Sequence, residues 1–360
     1  MKYIDEFRRK PLIGKLAGRI RAAAERGRSH SFMEVCGTHT MAIFRFGLRE
    51  LLPRNIMLTS GPGCPVCVTP DSYIDHAAAI ARLPGIIMAT FGDMLRVPGT
   101  RLSLEKERSR GRVIKTVYST DDALNIARNN PGKEVVFLGV GFETTVPTVA
   151  ASIITAAKEG IGNYSVLSTH KTMPEALRAL AEDRSIRVDG FILPGHVGVI
   201  TGSAPYGFLS KKFGIRSVIA GFEPTDILQA ILMLLRQKKP RLEVQYSRAI
   251  HPGGNALARR ITGRVFEPCP SVWRGIGKIE KSGLRIRKKY SRFDAALKFG
   301  VKVAPGRVNK DCICGEILKG KKTPYECRLF GRACNPDNPV GACMVSGEGT
   351  CAAYYRFGKR

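Results

Sequence analysis

Over the first 300 residues, short apolar runs alternate with longer segments of helical pattern. Most runs end in glycine or another small residue, as parallel strands do where they lead into a loop. Because strands and helices alternate in this way in parallel-sheet proteins, the pattern predicts an α/β fold. The predicted strands are Ile56–Thr59, Ile86–Thr90, Val135–Gly139, Tyr164–Ser168, Gly190–Leu193 and Ser217–Ala220, and Ser31–Val35 is strand-like.

The predicted helices begin at residues that suit a first turn. Asp71 or Ser72 is expected to cap one helix, and Asp121 another. Proline is expected in the first turn of two more, because its missing N–H has no partner there in any case. These helices are Tyr73–Leu83, Ala123–Asn129, Glu175–Asp183 after Pro174, and Thr225–Gln237 after Pro224.

The composition is that of a soluble globular protein with a basic charge. The 360 residues contain 58 Lys and Arg against 30 Asp and Glu, which gives a net charge of +28. No run approaches the ~20 apolar residues that span a bilayer, and the N-terminus lacks the apolar core of a secretory signal, so a cytoplasmic location is expected. The basic excess is spread along the chain without interleaved aromatic residues, which favours general surface charge over a polyanion site.

The ten cysteines are more informative, because a reducing cytoplasm leaves little use for structural disulfides. They lie among glycine, proline and polar residues rather than within apolar runs, which indicates metal or redox chemistry. Three are near the N-terminus, one stands alone as a plain thiol, and six crowd into the last 49 residues: Cys36, Cys64 and Cys67; Cys269; and Cys312, Cys314, Cys327, Cys334, Cys343 and Cys351.

Cys36 lies in the motif Cys-Gly-Thr-His (36–39), between the strand-like run and a segment, 40–50, that can form a helix. The helix N-terminus and the nearby His39 are both expected to lower the pKa of the thiol. Since a soft metal binds a thiolate, Cys36 is a candidate metal ligand. The alternative is a buried, inert thiol beside a surface histidine.

Cys64 and Cys67 form a Cys-x-x-Cys pair in a Gly- and Pro-rich segment, 60–70, that is expected to be a tight, exposed loop. A tetrahedral zinc site needs a second pair of ligands, and none lies nearby in the sequence. A dithiol that converts to a disulfide is therefore favoured, with half of a metal site or inert thiols as alternatives.

The six C-terminal cysteines exceed the four ligands of one zinc ion or one cubane cluster. They are separated by one, twelve, six, eight and seven residues, and they lack the paired Cys-x-x-Cys knuckles of a zinc ribbon. An iron–sulfur cluster beside a redox-active cysteine pair is favoured over structural zinc. The spacing alone leaves open whether Cys312 or Cys314 is a cluster ligand.

Five uncommon motifs follow one another along the chain: Cys-Gly-Thr-His (36–39), Gly-Pro-Gly-Cys-Pro-Val-Cys (61–67), Gly-Phe-Glu-Thr-Thr (141–145), Pro-Gly-His-Val (194–197) and the segment 340–355. Together they resemble the HypD family of [NiFe]-hydrogenase maturation proteins. The resemblance implies a scaffold on which an Fe(CN)₂CO group is assembled with a HypC-type chaperone and a HypE-type cyanide donor. We expect no nucleic-acid or membrane partner, and a monomer when the chain is alone.

The resemblance also implies two similar parallel-sheet α/β domains, 1–118 and 119–306, and a small cysteine-rich domain, 307–360, that holds a [4Fe-4S] cluster. Cys36 would bind the assembled iron with His39 close by, and Cys64 and Cys67 would shuttle between dithiol and disulfide. By likeness to ferredoxin–thioredoxin reductase, the remaining cysteines divide into a redox pair, Cys314 and Cys343, and the cluster ligands Cys312, Cys327, Cys334 and Cys351.

Two rival functions remain. A basic zinc-binding nucleic-acid-binding protein would use the Lys and Arg excess and a four-cysteine zinc module. A stand-alone iron–sulfur disulfide reductase would act without any maturation partner. Colour distinguishes the zinc-binding rival from an iron–sulfur protein, since an iron–sulfur protein purified without oxygen is brown and a zinc protein is colourless.

Overall fold

The computed structural model describes residues 4–24, 27–304 and 309–358 of the chain. Its strands form two parallel sheets and one antiparallel hairpin. Sheet A contains His30–Glu34 (β1), Ile56–Ser60 (β2), Gly190–Pro194 (β7), Arg216–Ala220 (β8) and Leu242–Val244 (β9); sheet B contains Ile86–Thr90 (β3), Ile114–Thr116 (β4), Glu134–Gly139 (β5) and Tyr164–Ser168 (β6); and the hairpin is Phe266–Trp273 (β10) with Gly277–Ile286 (β11).

Helices lie between the parallel strands along the chain, because parallel pairing needs a crossover connection. The α-helices are Lys10–Ala23 (α1), Gly37–Arg45 (α2), Leu48–Leu51 (α3), Asp71–Ala81 (α4), Leu104–Ser109 (α5), Thr120–Arg128 (α6), Val146–Glu159 (α7), Met173–Glu182 (α8), Gly195–Thr201 (α9), Phe208–Phe213 (α10), Pro224–Arg236 (α11), Ala256–Val265 (α12), Ala295–Phe299 (α13), Cys314–Leu318 (α14) and Thr350–Phe357 (α15). Short 3₁₀ helices are Asp5–Phe7, Gly92–Arg96, Ala204–Tyr206, Lys288–Phe293, Pro324–Glu326 and Ala342–Met344.

The α/β class and all the predicted strands are confirmed, each to within one residue at either end. The prolines also lie in the first turns of α8 and α11 as predicted. The two capping predictions are wrong. Pro70 occupies the N-cap of α4, and Ser119 caps α6 by accepting the N–H of Asp122, whose carboxylate accepts the N–H of Ser119 in return.

The strands of sheet A come from two parts of the chain, and the strands of sheet B come from the part between them. Sheet A has the order β2–β1–β7–β8–β9, so strands from 30–60 pair directly with strands from 190–244. Sheet B has the order β4–β3–β5–β6 and comes from the intervening residues, 86–168. The boundary predicted at residue 118 therefore falls between two strands of sheet B.

Every residue of β3 and β7 is buried, as expected of parallel strands covered on both faces by helices. The core of sheet A continues beneath the hairpin and the cysteine-rich segment 309–358. In that segment α15 packs against α2, at the carboxyl edge of sheet A. Among the described residues no helix is both long enough and apolar enough to cross a bilayer.

A cysteine-lined candidate metal and redox centre

Cys36 follows β1 directly and occupies the N-cap position of α2, at the carboxyl edge where parallel sheets bind ligands. Its side chain is buried, and burial raises the pKa of the thiol to about 12. The N–H group of His39 opposes this shift but does not outweigh it. The prediction of a lowered pKa is therefore wrong, because desolvation of the thiolate exceeds the effect of the helix N-terminus.

The imidazole nearest to Cys36 belongs to His196, which the sequence analysis did not assign to the site. His196 is the second residue of α9, which follows the neighbouring strand β7, and its Nδ1 lies 3.8 Å from the Cys36 Sγ. Burial lowers the pKa of His196 to about 4, so the ring is neutral near pH 7. The signal available in the sequence was its Pro-Gly-His-Val turn after a predicted strand.

The side chain of His39 turns away from the thiol. Its Nε2 donates to the carbonyl oxygen of Gly221 at 2.9 Å, and its ring packs against Phe222 with centroids 4.8 Å apart. The ring of His196 packs on the same Phe222. Only the backbone of His39 is close to Cys36, so this histidine ties α2 to the end of β8.

Glu34, the last residue of β1, is a buried carboxyl that the sequence analysis missed. It accepts hydrogen bonds from Ser60 Oγ at 2.6 Å, from Thr40 Oγ1 at 3.1 Å and from the Gly61 N–H at 3.3 Å. Burial raises its pKa to about 8. Glu34 thereby joins the end of β2 and the first turn of α2 around Cys36.

The loop that carries Cys64 and Cys67 lies directly against Cys36. Gly63 allows this approach, since a Cβ atom there would collide with the Cys36 backbone, and its carbonyl accepts the Gly37 N–H at 3.2 Å. Both thiols are buried, at 3% and 0% exposure, so the prediction of an exposed loop is wrong. The hairpin and the cysteine-rich segment cover it.

Five thiols form a continuous row from this loop into the cysteine-rich segment. The Cys67 N–H donates to Cys64 Sγ at 3.2 Å, and the Cys67 thiol contacts Cys343. The Sγ atoms of Cys343 and Cys314 lie 2.9 Å apart, and Cys314 in turn contacts Cys312. No break separates the N-terminal pair from the C-terminal cysteines.

All six C-terminal cysteines line one cavity, with Ile317, Leu329, Phe330 and Met344 as apolar wall. The N–H of Val340 donates to Cys334 Sγ at 3.4 Å, and burial raises the pKa of Cys351. Within the described ranges, no three His, Cys, Asp or Glu side chains converge on a single metal ion. Thiolates around a cubane need not converge, because each binds a different iron.

Two contacts fix the cysteine-rich segment over Cys36. Thr38 Oγ1 donates to Glu348 Oε1 at 2.7 Å, and Gly37 packs so closely on Glu348 that a Cβ atom there would collide with it. The ring of Phe44 in α2 packs on Tyr354 in α15 with centroids 4.5 Å apart. These contacts bring residues from both ends of the chain to one site.

The tip of the hairpin holds the opposite side of the site. Arg274 donates to the carbonyl oxygens of Thr69 at 2.6 Å and Pro98 at 2.7 Å, and it pairs with Asp71. Next to it, Trp273 stacks on Phe142 of the Gly-Phe-Glu-Thr-Thr motif with centroids 5.8 Å apart. The hairpin thus joins the Cys64–Cys67 loop to the carboxyl edge of sheet B.

The sequence profile of the HypD family, described as "Hydrogenase formation hypA family", matches residues 11–358. The chain belongs to the HypD family. "Hydrogenase maturation factor HypD" of Azotobacter vinelandii is 47% identical to it, over 100% of this chain and 98% of the relative. "Hydrogenase expression/formation protein HupD" of Azotobacter chroococcum is 46% identical over 100% and 98%, and "Hydrogenase maturation factor HypD" of Escherichia coli K12 is 43% identical over 99% and 98%.

The five motifs that carried the resemblance to the HypD family do not all serve one site. Four of them meet around Cys36 and the row of thiols. The fifth, Gly-Phe-Glu-Thr-Thr, reaches them through the stacking of Phe142 on Trp273. Cys269 lies on β10 and lines a separate cavity beside His170, away from this row.

Proposed function

We propose that the chain is a hydrogenase maturation factor that holds iron at Cys36 while an Fe(CN)₂CO group is assembled. The observation that carries the proposal is the placement of the Cys36 thiol, with a neutral histidine 3.8 Å from it and an unbroken row of cysteines beside it. An iron ligand and a supply of electrons are the two parts that such an assembly needs.

Iron capture at Cys36 involves the loss of the thiol proton, since thiolate is the ligand form. Because burial holds the thiol protonated in the metal-free chain, the iron must displace this proton. The neutral Nδ1 of His196 lies where it can accept a hydrogen bond from the thiol and then the proton. His196 is therefore the proposed proton acceptor, in place of His39.

The Cys64–Cys67 dithiol is the proposed electron source for cyanide transfer. Release of cyanide from a thiocyanate group on the HypE-type partner consumes two electrons, and oxidation of the dithiol to a disulfide supplies them. Of the two protons released, one returns the partner's sulfur to a thiol and the other passes to solvent. The contact of this loop with Cys36 supports the proposal, because cyanide and iron must meet there.

Cys343 and Cys314 are placed to restore that dithiol by disulfide exchange. Attack of the Cys343 thiolate on Cys67 forms a Cys67–Cys343 bond and releases Cys64. Attack of Cys314 on Cys343 then releases Cys67 and leaves a Cys314–Cys343 disulfide. The thiol protons of the C-terminal pair end on Cys64 and Cys67, so two electrons move inward.

The remaining cysteines of the cavity, Cys312, Cys327, Cys334 and Cys351, are the proposed ligands of a [4Fe-4S] cluster. Four thiols beside the Cys314–Cys343 pair, in a mainly apolar wall and with the Val340 N–H directed at Cys334 Sγ, suit such a donor set. When bound, the cluster supplies one-electron chemistry beside the Cys314–Cys343 pair.

The proposed partners are a HypC-type chaperone covering Cys36 and a HypE-type cyanide donor, in the cytoplasm. We expect the chaperone to contact α2 at Met41 and Arg45. Phe44, which lies between them in α2, is already partly covered by Tyr354. Exclusion of water and oxygen from Cys36 is the physical reason for such a cover.

Infrared spectroscopy tests the proposal on chain co-expressed with its partners and purified without oxygen. We expect bands of iron-bound CN and CO in the unmodified chain and in Cys269→Ala, and none in Cys36→Ala, which keeps its iron–sulfur content. Bands that persist in Cys36→Ala would contradict the ligand assignment.

Iron and sulfide content in the same preparations tests the division of the C-terminal cysteines. Cys327→Ala and Cys334→Ala should lose most of both, whereas Cys314→Ala and Cys343→Ala should keep them and lose reduction of Cys64–Cys67. The 2.9 Å separation of Cys314 and Cys343 favours a disulfide reductase as the second candidate function. If that pair is reduced but no infrared bands appear with any co-expressed partner, the result would favour the disulfide reductase.

A further inference from the structure

A second cavity, of about 310 Å³, adjoins the cysteine-lined cavity and opens to solvent. The two cavities share Cys312, Cys314 and Gly341. The hairpin tip forms one side of the second cavity, and the segment 96–106 forms the other. It is therefore a passage from the surface to the outer end of the thiol row.

We propose that this cavity binds a low-molecular-weight thiol of the amino-acid or peptide type, which reduces the Cys314–Cys343 pair. The proposal rests on the redox role proposed above for that pair. It adds the source of the electrons and the place where they reach the chain.

Burial along the row gives the direction of transfer. Cys314 lines the cavity with 6% of its surface exposed, whereas Cys343 and Cys67 are fully buried. Cys312, at the outer end of the row, is half-buried, so among Cys314, Cys343 and Cys67 only Cys314 borders the open cavity. Gly341 keeps this end uncovered, since a Cβ atom there would lie 2.9 Å from Cys312 Sγ.

The charges at the mouth indicate the class of thiol. Arg101, Lys106, Glu105 and Asp337 all line the cavity and are all exposed, so both signs of charge are present. A mixed lining of this kind suits a ligand that carries both a carboxylate and an ammonium group. The volume lies at the lower end of the ~300–1,000 Å³ of small-molecule sites, which suits a molecule of a few residues rather than a protein.

The reduction balances with two molecules of thiol. The first, as thiolate, attacks Cys314 of the Cys314–Cys343 disulfide, forms a mixed disulfide with Cys314 and frees Cys343. The second attacks the small-molecule sulfur of that mixed disulfide and frees Cys314. The products are one small disulfide and the Cys314 and Cys343 thiols that pass electrons to Cys64–Cys67.

The reverse exchange gives a direct test that needs no iron assembly. In Cys343→Ser, purified without oxygen, Cys314 has lost its proposed redox partner and should form a mixed disulfide with cystine, releasing cysteine. Peptide mass mapping measures the rate. We expect the double variant Arg101→Glu with Lys106→Glu to form the mixed disulfide about fivefold more slowly. A change of this size corresponds to the loss of an exposed charge interaction. The same pair of changes should leave the neutral 2-hydroxyethyl disulfide unaffected.

Arg108→Glu is the matched control, because Arg108 is exposed on the same helix, α5, but does not line the cavity. Modification of other cysteines with Cys314 untouched, or equal effects of the double variant on both probes, would overturn the proposal. If Cys343→Ser does not fold, reduction of Cys64–Cys67 by cysteine and by 2-mercaptoethanol in the unmodified chain gives the same comparison.

The two proposals fail separately. Infrared bands without exchange at Cys314 would overturn the thiol site and leave the iron scaffold standing. Exchange at Cys314 without infrared bands would leave the thiol site standing and overturn the scaffold. Reduction by a dithiol protein alone, with no response to cysteine, would overturn the small-molecule assignment.

Discussion

At the scale of single residues, burial decides the protonation of the site. Cys36, His196 and Glu34 lie at strand ends or within two residues of them, and the pKa of Cys36 was expected to be lowered by the helix N-terminus and His39. All three instead shift toward the neutral form, because desolvation is the largest cause in each case. These three side chains are therefore mainly neutral near pH 7.

The contact between Cys36 and His196 also could not be predicted from the sequence. The two residues are adjacent in space because β1 pairs with β7, and such pairing between distant strands leaves no local signal. The sequence predicted that His196 lies in a turn at a strand end, but it did not predict which thiol the ring faces. His39, close to Cys36 in sequence, points elsewhere because the α2 backbone carries its ring toward Gly221.

A pH-dependent stability is expected from Glu143. Its Oε1 accepts the Met173 N–H at 2.8 Å, its Oε2 is buried, and burial raises its pKa to about 7 from 4.5. The folded chain holds this proton more tightly than the unfolded chain, so stability falls as the pH rises from about 4.5 to about 7. Glu143→Gln should therefore stabilise the chain at pH 8, by on the order of 3 kcal/mol at most, and hardly at pH 5.

Urea unfolding of both chains at pH 5 and pH 8 measures this difference. Asp122→Asn serves as a control, because hydrogen bonds from Tyr118 and Ser119 lower the pKa of that carboxyl group, which shifts stability in the opposite sense. An equal effect of Glu143→Gln at both pH values would mean that the carboxyl is not protonated in the folded chain.

At the scale of elements, the long parallel strands were predictable and the short or irregular ones were not. A buried parallel strand has a continuous apolar run, whereas β4 and β9 have three residues each. The strand β10 contains Pro268 and Pro270, which count against a strand, and its register shifts between Cys269 and Ser271. The hairpin that orders the site was therefore missed.

The hairpin tip should hold the Cys64–Cys67 loop through Arg274. Arg274→Met would leave Asp71 without its cation and two carbonyl oxygens without a donor, so we expect a loss of about 3 kcal/mol in unfolding free energy. Amides of residues 64–70 should exchange hydrogen faster. Lys278→Met, on the same hairpin but 64% exposed, should change stability by less than about 0.5 kcal/mol.

Urea unfolding and hydrogen exchange of the three chains measure these effects. A loss below about 1 kcal/mol, or faster exchange spread evenly over the chain, would mean that the loop is held by other contacts.

At the scale of the whole molecule, the interleaved sheets make the two halves of the chain dependent on each other. Separation at residue 118 would break the β3–β5 and β1–β7 pairings at once and leave unpaired edges in both fragments. We expect fragments 1–118 and 119–360 to be insoluble or unfolded alone and to regain a cooperative transition when co-expressed. A cooperative urea transition of either fragment alone would support independent domains.

The topology also constrains the order in which the site can form during synthesis. A ribosome releases β1 early, but its neighbour β7 follows only after residues 35–189, so sheet B is complete while sheet A is still open. Cys36, Cys64 and Cys67 therefore leave the ribosome exposed, and the cysteines that cover them emerge last. A nascent chain thus has no enclosed site in which to hold a half-built metal group, and loading must await the finished polypeptide.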